Sequence, residues 1–343
     1  MERLQILRQI APEIVEIIEH RYMVLQNVYF LQPVGRRALA ARLGWPERMV
    51  RKEIDFLREA GMLKSEPAGM MVTDFGVKAL SGLEETIRKL HGLTELEHAL
   101  ARRLHLRKVI VVPGDSDQDE TVKRGLARAT ARVLNAVLND HDVLAVTGGT
   151  TLAEVANSLP SHHTERDLLV VPARGGLGEE VELQANSVAA RIAERLGGRY
   201  RLLHVPDGLG EEALASIAVD PNIKQLLDII RTARVVLHGI GNAEDMARRR
   251  GLAPQFMQLL QQENAVGEAL GYYFTRDGRI VYTTRSVGLR LEDLEAAELV
   301  IAVGGGRSKA EAALAVLSTG HQHYYITDEA AARRMLAILG KQV

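Results

Sequence analysis

The chain has 343 residues, 46% hydrophobic and 25% charged, with 43 Lys+Arg against 44 Asp+Glu and a net charge of −1; this excludes a polyelectrolyte and confines any nucleic-acid surface to a local patch. With no cysteine it holds no disulfide and no thiolate metal site. The length suits two or three domains, and an N-terminus charged every few residues reads as neither signal peptide nor membrane span, so a cytoplasmic protein is expected.

Leu4, Leu7, Ile10, Ile14, Ile17 and Ile18 predict the apolar face of a helix over residues 4–18, and a second helix is expected over Arg21–Leu31, before Pro33 and Gly35 break the chain. Gly35–Leu63 then divides into a short helix (Arg36–Leu43), a turn at Gly44-Trp45-Pro46, and a longer helix from Glu47 to Ala60 that Gly61 ends. Leu39, Ala40 and Leu43 point inward from the first, and Val50, Ile54 and Leu57 from the second. This is a helix-turn-helix order. Arg48, Arg51 and Lys52 would meet bases, and Arg36 and Arg37 would hold phosphates. MLKSEPAGMMVTDFG predicts a β-hairpin wing around Pro67-Ala68-Gly69. A plain αα-hairpin with solvated arginines is the alternative. Glu47, Glu53, Asp55 and Glu59 dilute the basic charge, so DNA affinity should need more than one copy.

From Asp74 to Leu104 no proline interrupts, and Leu80, Leu83, Ile87, Leu90, Leu93, Leu96, Leu100 and Leu104 recur at helical spacing. The pattern fits a coiled-coil seam between two subunits or a helix packed on its own chain.

Strand-length apolar runs follow at Lys108–Pro113, Val143–Thr147, Leu168–Pro172, Arg201–Pro206, Val235–Gly239, Leu299–Val303 and Tyr324–Thr327. Helical patterns separate most of them: Thr121–Leu138, Thr151–Leu159, Glu180–Leu196 and Lys309–Leu317. Buried strands alternating with helices predict a doubly wound, mostly parallel α/β sheet, with ligands at the carboxyl ends of its strands. Four loops stand there. Gly148, Gly149, Thr150 and Thr151 offer backbone N–H groups and hydroxyls to an anion. ARGGLGEEVELQAN brings Arg174, Gly175, Gln184 and Asn186. HGIGNAEDMARRRG carries the Arg248–Arg250 cluster, and GGGRSKAEAA opens a helix with Ser308 and Lys309. Neither Walker A nor Rossmann spacing is present, so the set describes a pocket for a phosphorylated polyol rather than for a dinucleotide.

The helix-turn-helix head followed by AVTGGTTLAEVA, VPARGGLGEE, ANSVAARIAERLGG, LHGIGNAEDM, AVGEALGYYF and AVGGGRSKAEA resembles the SorC/DeoR-type sugar-responsive bacterial regulators, over nearly the whole length and in the same motif order. The resemblance implies a winged helix-turn-helix domain (1–80), a helical linker (81–104) and an effector domain (105–343) similar to glucosamine-phosphate deaminases and ribose-phosphate isomerases. It implies a repressor of a glycolytic operon, released from operator DNA by a phosphosugar, with fructose 1,6-bisphosphate as effector and a homodimer to homotetramer on DNA. Carried over, Gly149, Thr150, Thr151 and Lys309 would hold one phosphate; Arg174, Gln184 and Glu268 would contact the sugar or its second phosphate. Arg248–Arg250 is a further phosphate candidate, with Arg249 its middle member; which arginine turns inward stays open. Effector binding would order the GGLGEE and AVGEALGYY loops.

Two other function classes stand beside it: a sugar-phosphate isomerase or deaminase with an accessory DNA-binding head, and an interaction protein in which the winged helix binds protein. Deaminases of this fold carry an acid-glycine-histidine run where this chain has Asn242 and Ala243 with no histidine following. No catalytic residue is therefore assigned. Glu244 and Asp245 are expected to cap the next helix. His238, the His162-His163 pair, His321 and His323 show no metal-ligand spacing, and neither metal nor cofactor is expected.

Overall fold

The computed structural model describes residues 9–161, 165–176, 180–205 and 210–340. Leu4, Leu7, His162, His163 and the centre of the GGLGEE run (177–179) lie outside them. Two compact units are present, one up to Glu95 with Asp119–Thr121, the other Leu96–Gln118 and Val122 onward.

In the first unit one helix, α1 (Pro12–Leu31), stands where residues 12–31 were expected to split between two. Pro12 sits in its first turn, where a missing N–H costs nothing, and no breaker follows before the Gln32-Pro33 step. Val15, Tyr22, Val24, Leu25 and Val28 form its buried side, whereas Ile10, Ile14 and Ile17 are exposed. Of the described residues of the predicted apolar face only Ile18 packs on the core: α1 is apolar on two sides, and the side carrying Val15, Tyr22, Leu25 and Val28 is the one buried. α2 (Arg36–Leu43) and α3 (Glu47–Glu59) follow, with Gly44 left-handed (φ +66) between them. Leu39, Ala40, Val50, Ile54 and Leu57 are buried. β1 (Leu63–Glu66) and β2 (Gly69–Val72) pair antiparallel as the wing. Thr73 then caps α4 (Asp74–Leu90), accepting from Gly76 N at 3.0 Å.

The leucine seam is not one helix. Gly92 (φ +63) breaks it, and α5 (Leu93–Arg103) starts afresh. Leu80, Ile87, Leu90, Leu93, Leu96 and Leu100 are all buried within the chain, so of the two readings the structure takes packing on its own chain.

The second unit contains β3 (Lys108–Val112), α6 (Glu120–Val137), β4 (Val143–Val146), α7 (Thr150–Ser158), β5 (Leu169–Pro172), α8 (Ala185–Leu196), β6 (Arg199–Tyr200), α9 (Glu211–Ala218), α10 (Pro221–Arg231), β7 (Val235–Gly239), β8 (Gly241–Asn242), α11 (Ala243–Arg249), α12 (Pro254–Gln262), β9 (Ala265–Ala269), β10 (Tyr272–Thr275), β11 (Ile280–Thr283), β12 (Leu299–Val303), α13 (Ala310–Leu317), β13 (Tyr324–Asp328) and α14 (Glu329–Leu339). Seven strands run β3-β13-β12-β7-β4-β5-β6, each parallel to its neighbours. From β4 the chain winds outward through β5 and β6; from β7 it winds the other way. The β4–β7 junction is thus a topological switch point, where α/β sheets bind ligands. At the opposite, amino-terminal end of the same two strands, Arg234 clamps Asp142: Nε to Oδ1 at 2.5 Å, Nη2 to Oδ2 at 2.6 Å and to Val137 O at 2.5 Å.

Residues 201–205 do not form the predicted strand, and Pro206 lies outside the described residues. The backbone N–H and C=O of Leu203 pair with the Asn186 amide, both at 3.0 Å, instead of extending the ladder. Asn186 is therefore a structural clasp. A second, antiparallel sheet (β11-β10-β9-β8) replaces the expected AVGEALGYY loop. α8 begins at Ala185, after a 3-10 turn at Val181–Leu183, so Gln184 is its N-cap; likewise Lys309 is the N-cap of α13.

Candidate functional site

At the carboxyl ends of β4, β7 and β12 lies a cavity of about 260 Å3. Gly148, Gly149, Thr150, Thr151, Arg174, Gly175, Gln184, Arg249, Glu268 and Lys309 all line it. All but Glu268 come from four connections that follow parallel strands, which deliver their C-terminal ends to one edge, and Glu268 comes from β9 of the antiparallel sheet.

The first wall is the β4–α7 loop. A Cβ on Gly148 would stand 2.3 Å from Leu183 O, and Gly149 adopts φ +115 while its N–H bonds Leu183 O at 2.8 Å. Thr147 Oγ1 accepts from Gly239 N at 3.2 Å, tying this loop to the end of β7. No side chain caps the first turn of α7. Its N–H groups, the Thr150 and Thr151 hydroxyls and the positive end of the helix dipole are thus available to an anion.

Arg174, 6% exposed, forms the second wall. Gly175 N bonds Val287 O (2.9 Å) and Leu289 N bonds Ala173 O (2.7 Å), holding its backbone in place. The third wall is α11. Asn242 caps this helix through Glu244 N (3.0 Å) and Asp245 N (3.4 Å). The cap is therefore Asn242, not the two carboxylates, because only a side chain preceding the first turn reaches those N–H groups. Glu244 pairs with Arg248 on the surface, and Asp245 lines the cavity.

The three arginines part ways. Arg248 is on the surface, Arg249 lines the cavity from an exposed position, and Arg250 turns inward. Arg250 Nη2 meets Glu268 Oε1 at 2.8 Å, with both side chains 5% exposed. Glu268 Oε1 also accepts from Gly271 N at 2.7 Å.

The glycine loop after β12 departs most from expectation. Gly306 N donates to Asp328 Oδ2 (2.6 Å), and Ser308 donates to Asp117 through N (2.7 Å) and Oγ (3.0 Å). Arg307 N donates to Asp115 Oδ1 at 3.4 Å. Carboxylates from the DSDQD segment and from β13 take these donors, and only Lys309 of this loop faces the cavity. The acidic segment was silent in the sequence because nothing local reveals a contact some 190 residues away.

His238 is fully buried, with Nδ1 3.0 Å from Gly239 O, and burial pushes its pKa down. His323 Nδ1 accepts from Val300 N at 2.9 Å. Among the described residues no histidine lines the cavity, and no group of three His, Asp or Glu is placed to hold a metal.

In the first unit Arg36, Arg37, Arg48, Arg51 and Lys52 are all exposed. Arg51 stands 3.8 Å from Asp55 and Arg37 3.9 Å from Glu47, while Arg48 and Lys52 form no ion pair among the described residues. Glu53 does not dilute this surface: it is 4% exposed and accepts from Arg21 Nε at 3.0 Å. The Arg21 guanidinium also lies 3.4 Å over the Phe56 ring.

Residues 88–337 match the family described as "Putative sugar-binding domain", and residues 17–87 match the "CggR N-terminal DNA binding domain". The central glycolytic genes regulator of Priestia megaterium is 42% identical over 334 residues, covering 97% of this chain and 98% of that one. The regulator of the same name from Bacillus subtilis is 41% identical over 333 residues, with the same coverage. Among solved structures, a "putative SorC family transcriptional regulator" from Enterococcus faecalis gives a TM-score of 0.66 at 40% identity, covering 71% of this chain and 99% of that one. The full-length sorbitol operon regulator SorC from Klebsiella pneumoniae, at 18% identity, shares the fold over 94% of this chain and 98% of its own, with a TM-score of 0.68.

Proposed function

Since this chain belongs to the family of sugar-binding bacterial transcriptional regulators that includes the central glycolytic genes regulators, we propose that it represses a glycolytic operon and that fructose 1,6-bisphosphate, or a closely related sugar phosphate, weakens its hold on the operator. The division we propose is a DNA-binding head over 1–80, a connecting segment over 81–104 and an effector domain over 105–343, acting as a dimer or tetramer on DNA. One observation carries the reading. The uncapped N-terminus of α7, Arg174, Arg249 and Lys309 converge on one cavity at the switch point of the sheet. Such a site suits a ligand with two phosphates.

We read the cavity as a binding site and not as an active site. Glu268 is engaged by Arg250 and Gly271, and no described histidine is at hand to move a proton. The ligand can shift operator affinity only by binding the free and DNA-bound forms differently, typically by about 1–3 kcal/mol or roughly 5–150-fold.

Fluorescence anisotropy on DNA from upstream of the chain's own gene tests this. Operator affinity is expected to drop within that range on adding fructose 1,6-bisphosphate. Arg48→Ala and Lys52→Ala should weaken DNA binding and leave sugar-phosphate affinity unchanged. An unaltered operator affinity at saturating sugar phosphate, or turnover of sugar phosphates in an isomerase assay, overturns the proposal.

The pH dependence is also set. Burial, together with Lys123 nearby, pushes the Lys309 pKa down, against the pull of Asp117, Asp245 and Asp328. A bound phosphate favours the charged amine, so binding takes up protons. Each phosphate of the ligand is already dianionic above its second pKa of about 6. Calorimetry from pH 7 to 9.5 is therefore expected to show affinity falling as pH rises, and Lys309→Arg should flatten that slope.

A further inference from the structure

The hairpin turn between β9 and β10 has two residues, Leu270 and Gly271, both with positive φ (+52 and +84). That is the pattern of a type I′ turn, which suits Asn-Gly far better than a leucine. A leucine held left-handed is strained, and strain persists only where surrounding contacts over-determine it. Those contacts are present. Gly271 N donates to Glu268 Oε1 (2.7 Å), and Gly271 O accepts from both Thr284 N and Thr284 Oγ1 (2.8 Å each). Glu268 is itself held by Arg250.

The face of this turn meets the Arg174 guanidinium. A Cβ built on Gly271 would stand 1.9 Å from one guanidinium nitrogen, 2.6 Å from its central carbon and 2.7 Å from the other nitrogen. One terminal nitrogen of the guanidinium abuts a backbone that has no side chain to give. From the other side, Gly288 touches the Arg174 backbone, and a Cβ there would stand 2.5 Å from Arg174 Cα. The forked cation is thus set into the cavity wall by two glycines that admit no side chain.

We infer that Arg250, Glu268 and the Leu270-Gly271 turn are positioning residues that fix the Arg174 fork, and that this fixed fork makes the cavity prefer a bisphosphate over a monophosphate. Glu268, which lines the cavity, then also acts on the turn through its Oε1. A fork in one orientation offers parallel N–H groups to a phosphate, whereas a free arginine spends rotamer entropy to do so. The inference rests on the sugar-phosphate reading of the cavity.

The test compares affinities of the full-length protein for fructose 1,6-bisphosphate and fructose 6-phosphate by calorimetry, with melting temperature as the check on folding. Gly271→Ala is expected to lower bisphosphate affinity at least tenfold and to leave monophosphate affinity within about twofold, collapsing their ratio. Arg250→Met should do the same, and Arg250→Lys should restore most of the ratio. Should alanine at 271 not fold, Arg250→Met against Arg250→Lys decides. A wild-type ratio in either folded disruptive variant overturns the inference and leaves the proposed function standing. Equal loss of both ligands also overturns it, since a merely structural role gives that result. Absence of binding of either ligand to the wild type overturns the functional reading itself.

Discussion

Lys309→Ala is expected to cost about 10- to 100-fold in fructose 1,6-bisphosphate affinity while leaving operator binding without ligand unchanged. Lys309 is the N-cap of α13 and the only group of the GGGRSK loop facing the cavity. The loop's other donors cannot compensate, because Asp115, Asp117 and Asp328 hold the backbone N–H groups of Arg307, Ser308 and Gly306. A charge-assisted hydrogen bond contributes about 1.5–3 kcal/mol, and about 1.4 kcal/mol is tenfold in affinity. The fold should tolerate the change, since Lys309 caps α13 without a side-chain hydrogen bond. Thr151→Val should cost less, about 1 kcal/mol, because it removes one neutral hydroxyl and leaves the helix N–H groups. Calorimetry separates the two, and an unchanged affinity in Lys309→Ala would remove the lysine from the site.

Asp142→Ala is the substitution expected to damage stability most, by about 2–3 kcal/mol. Asp142 is 8% exposed and receives two nitrogens of Arg234 at 2.5 and 2.6 Å. Removing it leaves a largely covered guanidinium with only the exposed Glu298 carboxylate (3.1 Å) and Val137 O. Losing a buried partner reaches about 3–5 kcal/mol at fully buried sites, and the figure is lower here because Glu298 remains and the Arg234 side chain is 24% exposed. The pH dependence has a definite sign. Burial alone would raise the Asp142 pKa, but the Arg234 hydrogen bonds, the Asn139 N–H and the charges of Arg234 and Arg166 outweigh it and hold the value below the usual 3.8. A carboxylate depressed in the folded state contributes stability that is full above its unfolded pKa and is lost as pH falls through its folded one. Denaturant titrations should therefore show the gap between wild type and Asp142→Ala holding from neutrality to about pH 5 and narrowing below pH 4. A gap of under 0.5 kcal/mol at pH 7 would show the clamp to be dispensable.

The sheet was legible because its strands are continuous apolar runs: Leu299–Val303 is buried at every position and reads so in the sequence. The helix-turn-helix was legible because Gly44-Trp45-Pro46 punctuates two helical patterns. The cavity's loops were legible because each follows such a run. The rest was not local. Arg201–Pro206 has a strand's composition, but Asn186, on another element, claims its backbone. The β9–β10 hairpin was hidden because Leu270 occupies a turn position that calls for asparagine or glycine. Which of three adjacent arginines would turn inward depended on Glu268, 18 residues on, and α1 offered two apolar sides of which packing chose one.

The two ends of the cavity belong to different pieces of chain. Thr150 and Thr151 follow Gly149, whose N–H is tied to Leu183 O within the main sheet's own connections, whereas Leu270 and Gly271 come from the small antiparallel sheet. Substitutions in that hairpin are therefore expected to change which metabolite is recognised while leaving Thr150 and Thr151 in place. A regulator built this way is expected to be retuned from one nutrient to another by exchanging a single hairpin.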